Sequence, residues 1–206
     1  VSLSARFEQE FIPDLTTAIN LFYNGRSGRR FSFVFDDGGN DFGDSDNEDR
    51  NLLFVPELND PRVIFSDAET EAQFNQFIAE QGLEGFRGTI LPRNAFEDPF
   101  FNDLDIRFEQ ELPTFLNGIL PDARAVVFAD IENFLNLIND GSNVFEEFDR
   151  GDVAEGVPVI DVTDNGDGTF DFFNFDDDLL LENGGGLDEI IAPSLWQVQF
   201  GIRFEF

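Results

Sequence analysis

The stretch Leu195-Trp196-Gln197-Val198-Gln199-Phe200-Gly201-Ile202-Arg203-Phe204-Glu205-Phe206 alternates without a break. Trp196, Val198, Phe200, Ile202, Phe204 and Phe206 fall on one face. Gln197, Gln199, Gly201, Arg203 and Glu205 fall on the other. A two-residue period is the mark of a β-strand with one dry and one wet surface. Soluble strands average about 5 to 6 residues, whereas a tilted strand crossing a bilayer needs roughly 9 to 11. The length therefore favours a membrane-spanning strand.

Working outward, four more segments keep the same period, at 1–11, 15–24, 103–112 and 123–133. Their apolar faces carry Val1, Leu3, Ala5, Phe7, Gln9 and Phe11, then Leu15 to Tyr23, Leu104 to Leu112 and Ala125 to Asn133, each at every second residue. None of these positions is charged. The opposite faces hold Arg6, Glu8, Glu10, Asp105, Arg107, Glu109, Glu111, Asp130, Glu132, Arg203 and Glu205. Arg6, Glu8, Arg107, Glu109, Arg203 and Glu205 are accordingly read as facing a wet lumen.

Connection lengths separate this pattern from a soluble sandwich. Pro13-Asp14 and 113–122 are short, and 36–99 and 139–194 are long. In up-and-down order both short turns fall at one end and both long loops at the other, the asymmetry of outer-membrane barrels. The expected fold is all-β, with antiparallel up-and-down strands of a transmembrane β-barrel and long extracellular loops. The 206 residues are read as the C-terminal part of one barrel domain, since five strands do not close a barrel and no initiator Met precedes Val1.

The long loops carry 32 of the 43 acidic residues, so the formal charge of -31 is mainly a loop property. All 12 basic residues are Arg, and no basic cluster exists to neutralise nucleic-acid phosphates. No run approaches the ~20 apolar residues of a membrane-spanning helix. Within the first loop, Ser66 and Glu69 form a capping box, Phe74, Phe77 and Ile78 a helical stripe, and Gly82 a stop, which predicts a helix over 67–81. In the second, 157–163 and 169–175 flank Asp164-Asn165-Gly166-Asp167-Gly168, a hairpin signal. Gly184-Gly185-Gly186 reads as a flexible linker. Arg6-Phe7-Glu8-Gln9-Glu10-Phe11 recurs as Arg107-Phe108-Glu109-Gln110-Glu111-Leu112, which similar structural demands explain without duplication.

Arg50–Pro56, Asp60–Phe65, Ala72–Leu83, Arg93–Pro113, Phe128–Asp140 and Leu195–Phe206 together resemble the C-terminal strands and loops of Oar-type TonB-dependent outer-membrane receptors. The resemblance implies a large barrel with an N-terminal plug, moving bulky substrates with energy delivered by TonB through the part of the receptor that this stretch lacks. It implies outer-membrane localisation, with membrane lipid and the barrel assembly machinery as partners. The chain departs from such barrels in having 28 Phe but one Tyr and one Trp, where interfacial belts use Tyr and Trp.

The absence of His and Cys removes the Ser-His-Asp triad, the Cys-His pair and most catalytic zinc sites. Carboxylate pairs such as Glu109 with Glu111 read as lumen lining, so no enzyme is expected and no cofactor is required. Calcium is the one candidate ligand, at Asp44 and Asp46 within the cluster Asp36 to Asp49, and at Asp164 and Asp167. Phe200, Ile202, Phe204 and Phe206 resemble the terminal strand recognised by barrel assembly machinery. The competing reading is a noncatalytic extracellular assembly or adhesion module, self-associating through strand edges and depending on calcium.

Overall fold

The computed structural model describes residues 1–36, 51–113, 123–139, 143–150 and 156–205. These residues form mostly β-structure with antiparallel sheets and few helices. They divide into two compact units, one of Val1–Ser27, Pro99–Phe145 and Glu189–Phe206, the other of Gly28–Asp98 and Glu146–Asp188.

The first unit is a five-stranded sheet of Ser2–Ile12, Leu15–Arg26, Phe101–Leu112, Arg124–Glu132 and Gln197–Glu205. The strands lie in chain order and every neighbour is antiparallel. Pro13 and Asp14 join the first two strands, with Asp14 left-handed at φ 65°. Both long connections leave from the opposite end of the sheet. The sheet is open, with Ser2–Ile12 and Gln197–Glu205 as its edges.

Register turns the sequence alternation into rows across the sheet. Phe7 lies opposite Ile19, then Phe108, Ala129 and Phe200, while Ala5, Leu21, Ile106, Ile131 and Val198 form the next row. One departure from the alternation concerns Asn133. The fourth strand ends at Glu132, and Asn133 adopts φ 49° and is buried instead of extending the outward face. Its amide donates to the carbonyl of Ser194 at 2.9 Å, and Asn136 donates to the same oxygen at 2.7 Å. Asn143 donates to Asn133 Oδ1 at 2.7 Å. These bonds satisfy buried polar groups that would otherwise cost about 1–3 kcal/mol each, and they draw Asn133 out of the ladder.

The second unit forms from the two long connections, which fold with each other instead of standing as separate loops. Gly156–Pro158 pairs in parallel with Ser32–Val34, and Phe170–Phe172 in parallel with Val63–Phe65. The core between them contains Phe31, Phe33, Phe74, Phe77 and Phe172, all essentially inaccessible. Phe33 and Phe77 meet edge to face at 5.2 Å and 90°. Burying each such ring contributes roughly 1.5–3 kcal/mol, enough to hold an acidic chain together despite its self-repulsion.

The helix Ala68–Glu80 matches the predicted stripe, with Phe74, Phe77 and Ile78 buried and Gly82 at φ 66° past its end. Its cap lies one residue later than the Ser66 box. Asp67 accepts from the backbone N–H of Glu69 and of Thr70, both at 2.9 Å, while Ser66 bonds to the Asp67 and Thr70 side chains. The hairpin is shorter than its sequence arms, pairing Asp161–Asp164 with Phe170–Phe173, because the residues before Asp161 pair with the other connection. The triple glycine is an ordered turn. Gly184, Gly185 and Gly186 all have positive φ, and Gly185 and Gly186 donate back to Leu180 and Asp178. Side chains disfavour that run of left-handed residues.

A buried ion pair closes the unit where its two segments begin and end. Arg150 Nη2 meets Asp98 Oδ2 at 2.6 Å, with side chains 8% and 0% exposed, and the N–H of Phe148 donates to the other Asp98 oxygen. Removing Asp98 leaves Arg150 to its longer contact with Glu147 at 3.6 Å and the Phe148 N–H without its acceptor, and breaking a buried pair from one side is costly. Asp98→Ala is therefore expected to destabilise the second unit by about 3–5 kcal/mol, against about 1 kcal/mol for the exposed cap change Asp67→Ala, in denaturant titrations of the full chain.

Acid acts through Asp60. The Arg62 guanidinium donates to it at 2.7 and 2.9 Å, which outweighs burial and lowers its pKa from 3.8 to about 2. A depressed pKa stabilises the fold above the ordinary carboxylate value, and that stabilisation is lost as pH falls through the folded value. The stability advantage of the native chain over Asp60→Asn should be constant above about pH 5 and shrink progressively toward pH 2, as followed by pH-dependent denaturation. An advantage that grows on acidification would contradict the assignment.

Candidate functional site

The two faces of the five-stranded sheet differ in chemistry. The face bearing Leu3, Phe7, Phe200, Ile202 and Phe204 holds no charge, and its edges are open, with Phe7 62% and Phe200 78% exposed; at Phe11 a register shift interrupts the alternation. The described residues leave this apolar area uncovered, and exposed apolar patches of such size are characteristic of interaction surfaces. On this face Phe200, Ile202 and Phe204 oppose the small or branched Ala129, Val127 and Ala125, which leaves the large side chains standing proud. Phe206 lies outside the described residues.

The uncharged face is not wholly apolar. Gln9, Thr17 and Gln110 share one row, and the Thr17 hydroxyl donates to Gln110 Oε1 at 2.6 Å. Tyr23 belongs to this face at its long-connection end, where its hydroxyl donates to Asn102 Oδ1 at 2.7 Å, and Trp196 lies just before the fifth strand begins.

The other face gathers Arg6, Glu8, Arg107, Glu109, Arg203 and Glu205 into one network. Glu109 is its hub, with a side chain 9% exposed. Arg6 reaches one carboxylate oxygen of Glu109 at 3.0 Å, and Arg107 and Arg203 reach the other at 3.1 and 3.5 Å. Arg6 also bonds Glu8 at 2.6 Å and Asn20 at 2.8 Å. Arg107 continues to Asp130 at 3.4 Å and Arg203 to Glu205 at 2.9 Å. The network thus spans strands one, three, four and five, with Asn20 supplying the second.

Two residues that the charge pattern passed over shape this face. Phe128 lies beneath the Arg107 guanidinium, 4.3 Å from ring centroid to cation. Opposite it in register stands Gly201, where an added Cβ would come within 2.3 Å of the ring. Gly201 is therefore the space that lets Phe128 lie flat and hold Arg107 from below. The repeated hexapeptides have a structural meaning here too, since Arg6 and Arg107 fall in one row and Glu8 and Glu109 in the next. Beside them a recess of about 470 Å³ opens on the charged face, between Arg6, Asn20, Asp105, Arg107, Asp130 and Glu132.

The candidate calcium residues lie elsewhere. Asp44 and Asp46 fall outside the described residues. Asp164 accepts from the N–H of Gly166 at 2.8 Å, and Asp167 accepts from the Thr169 hydroxyl and N–H, bonds that hold its carboxyl below the usual range. Among the described residues no group of three or more candidate ligands converges on one point.

No family model matches the chain, and no curated protein or solved structure matches it.

The hub position makes a quantitative expectation. Glu109→Gln leaves three guanidinium groups around a neutral side chain, and charge-assisted hydrogen bonds contribute about 1.5–3 kcal/mol. It should destabilise the sheet by about 2 kcal/mol or more, whereas Glu205→Gln, in an exposed pair, should cost about 0.5 kcal/mol or less. Denaturation of the full chain in detergent or lipid measures both.

Proposed function

We propose that the five-stranded sheet is part of an outer-membrane β-barrel, with its uncharged face toward lipid, its ion-paired face toward a water-filled lumen, and transport as its role. The observation that carries this reading is the pairing of opposites across one sheet: an exposed face without a single charge, backed by a network of guanidinium and carboxylate groups. A soluble protein would cover the first face. A bilayer needs it bare.

Dimensions support the reading. From Leu104 to Leu112 the third strand advances about 27 Å at ~3.4 Å per residue. Tilted by the ~35–45° of such barrels, this approaches an apolar band about 25 Å tall. The sole Tyr lies at the long-connection end of that face and the sole Trp just before the fifth strand at the same end, where rings with a polar edge favour a membrane interface. The second unit, carried on the long connections, belongs in this reading to the outside of the cell.

The substrate-moving activity proposed is TonB-dependent import or export of a bulky solute, on the strength of the likeness to Oar-type receptors. Phe200, Ile202 and Phe204 serve in it as the strand offered to the assembly machinery, presented on an edge with free backbone groups. Lipid tolerates no unpaired sheet edge. Because the first and fifth strands run in the same direction, all-antiparallel closure requires an odd number of further strands. The open edges also favour the second reading, self-association through strand pairing.

Trp196 is a built-in reporter. Its emission should shift to the blue on transfer from denaturant into phospholipid vesicles, and brominated acyl chains should quench it. Ile202→Arg should weaken membrane insertion by up to about 2–4 kcal/mol, while Arg203→Ile on the opposite face should spare it. A monodisperse, β-rich chain in plain buffer with no lipid response of Trp196 would overturn the membrane reading, and fibres under those conditions would support the second.

A further inference from the structure

A cleft of about 780 Å³ lies wholly within the second unit, inside the ~300–1,000 Å³ range of small-molecule sites. Phe54 and Phe170 supply its aromatic walls over a floor of buried Phe35 and Phe172, and Arg62, Arg93, Asn51 and Thr89 its polar groups. No Asp or Glu lines it among the described residues. That exclusion is informative in a chain with 43 acidic residues against 12 basic ones, because random lining would place carboxylates there before arginines.

The two arginines differ in how they are held. Arg62 is fixed, its Nε and Nη2 donating to Asp60 at 2.9 and 2.7 Å and its plane 4.9 Å from the Phe54 ring centroid. Those bonds cancel much of its charge but aim its remaining nitrogen. Arg93 is exposed, and no carboxylate among the described residues pairs with it. It is a cation of the cleft that no described carboxylate compensates.

We infer that this cleft is a binding site for a small anionic aromatic molecule, its ring held between Phe54 and Phe170 over the floor of Phe35 and Phe172 and its carboxylate by Arg93, with Arg62 as a fixed second donor. The apolar walls supply affinity and the arginines supply sign selectivity. A guanidinium in a partly desolvated cleft bonds a carboxylate more strongly than any neutral isostere. Because every group belongs to the second unit, the inference stands apart from the membrane reading of the sheet.

Three probes of one shape test it on the full chain in a non-ionic detergent: 2-naphthoate, 2-naphthylmethanol and 2-naphthylmethylammonium, titrated by calorimetry with saturation-transfer NMR as a second readout. The naphthoate should bind saturably and about tenfold more tightly than the alcohol, with the ammonium weakest. Arg93→Gln should bring the naphthoate to the level of the alcohol, leave the alcohol unchanged and preserve the melting temperature, while Arg30→Gln, on an exposed pair with Glu97, should change nothing. Equal affinity for anion and alcohol, an Arg93→Gln variant that binds naphthoate as before, an equal loss in Arg30→Gln, or no saturable binding would each overturn it.

Discussion

Side chains on the five strands can face only two ways, and in an antiparallel sheet the register that pairs one strand with the next fixes the face for all of them together. A slip of one residue would carry Phe7 or Ile202 into the network around Glu109 and turn Arg107 onto the bare surface. The ion pairs radiating from Glu109 to Arg6, Arg107 and Arg203 lock that register from one side. Phe128 seated against Gly201 locks it from the same side by shape. The uncharged rows opposite follow without further specification.

The two units put the same apolar residue types to different use. In the second, Phe31, Phe33, Phe74, Phe77 and Phe172 turn inward and stack edge to face, so the phenylalanine content becomes a core. In the first, Phe7, Phe200 and Phe204 lie exposed on the uncharged face, and the charged side chains occupy the opposite one. The same residue type therefore serves opposite ends, and composition alone cannot tell which. What distinguishes them is period: strict alternation across long strands in the sheet, and irregular spacing within short strands and one helix in the second unit.

That difference explains what could be read from the chain. The five strands, their chain order, both faces and the six charged residues of the network were legible, because each rests on a local two-residue period. The helix was legible through Phe74, Phe77 and Ile78, but the choice of Asp67 over Ser66 as its cap depends on one backbone angle that two adjacent polar residues leave open. The parallel pairing of Gly156–Pro158 with Ser32–Val34 was illegible, since both strands are short, apolar and far apart in sequence. Asn133 was misplaced because its identity as an outward residue came from counting, whereas its actual position is decided by Ser194, 61 residues away. Phe128 and Gly201 become meaningful only once the register is known.

The interleaving of the second unit has a consequence for the order of events. Its core needs both Phe33 and Val157, so the unit is complete only after the third and fourth strands have been made and delivered. Contacts so distant in sequence slow folding and leave the first segment, with its phenylalanines uncovered, waiting for its counterpart. The high acidity of these connections then acquires a kinetic meaning: like-charge repulsion keeps an unfinished, ring-rich segment from adhering to other copies during the interval before its other half arrives.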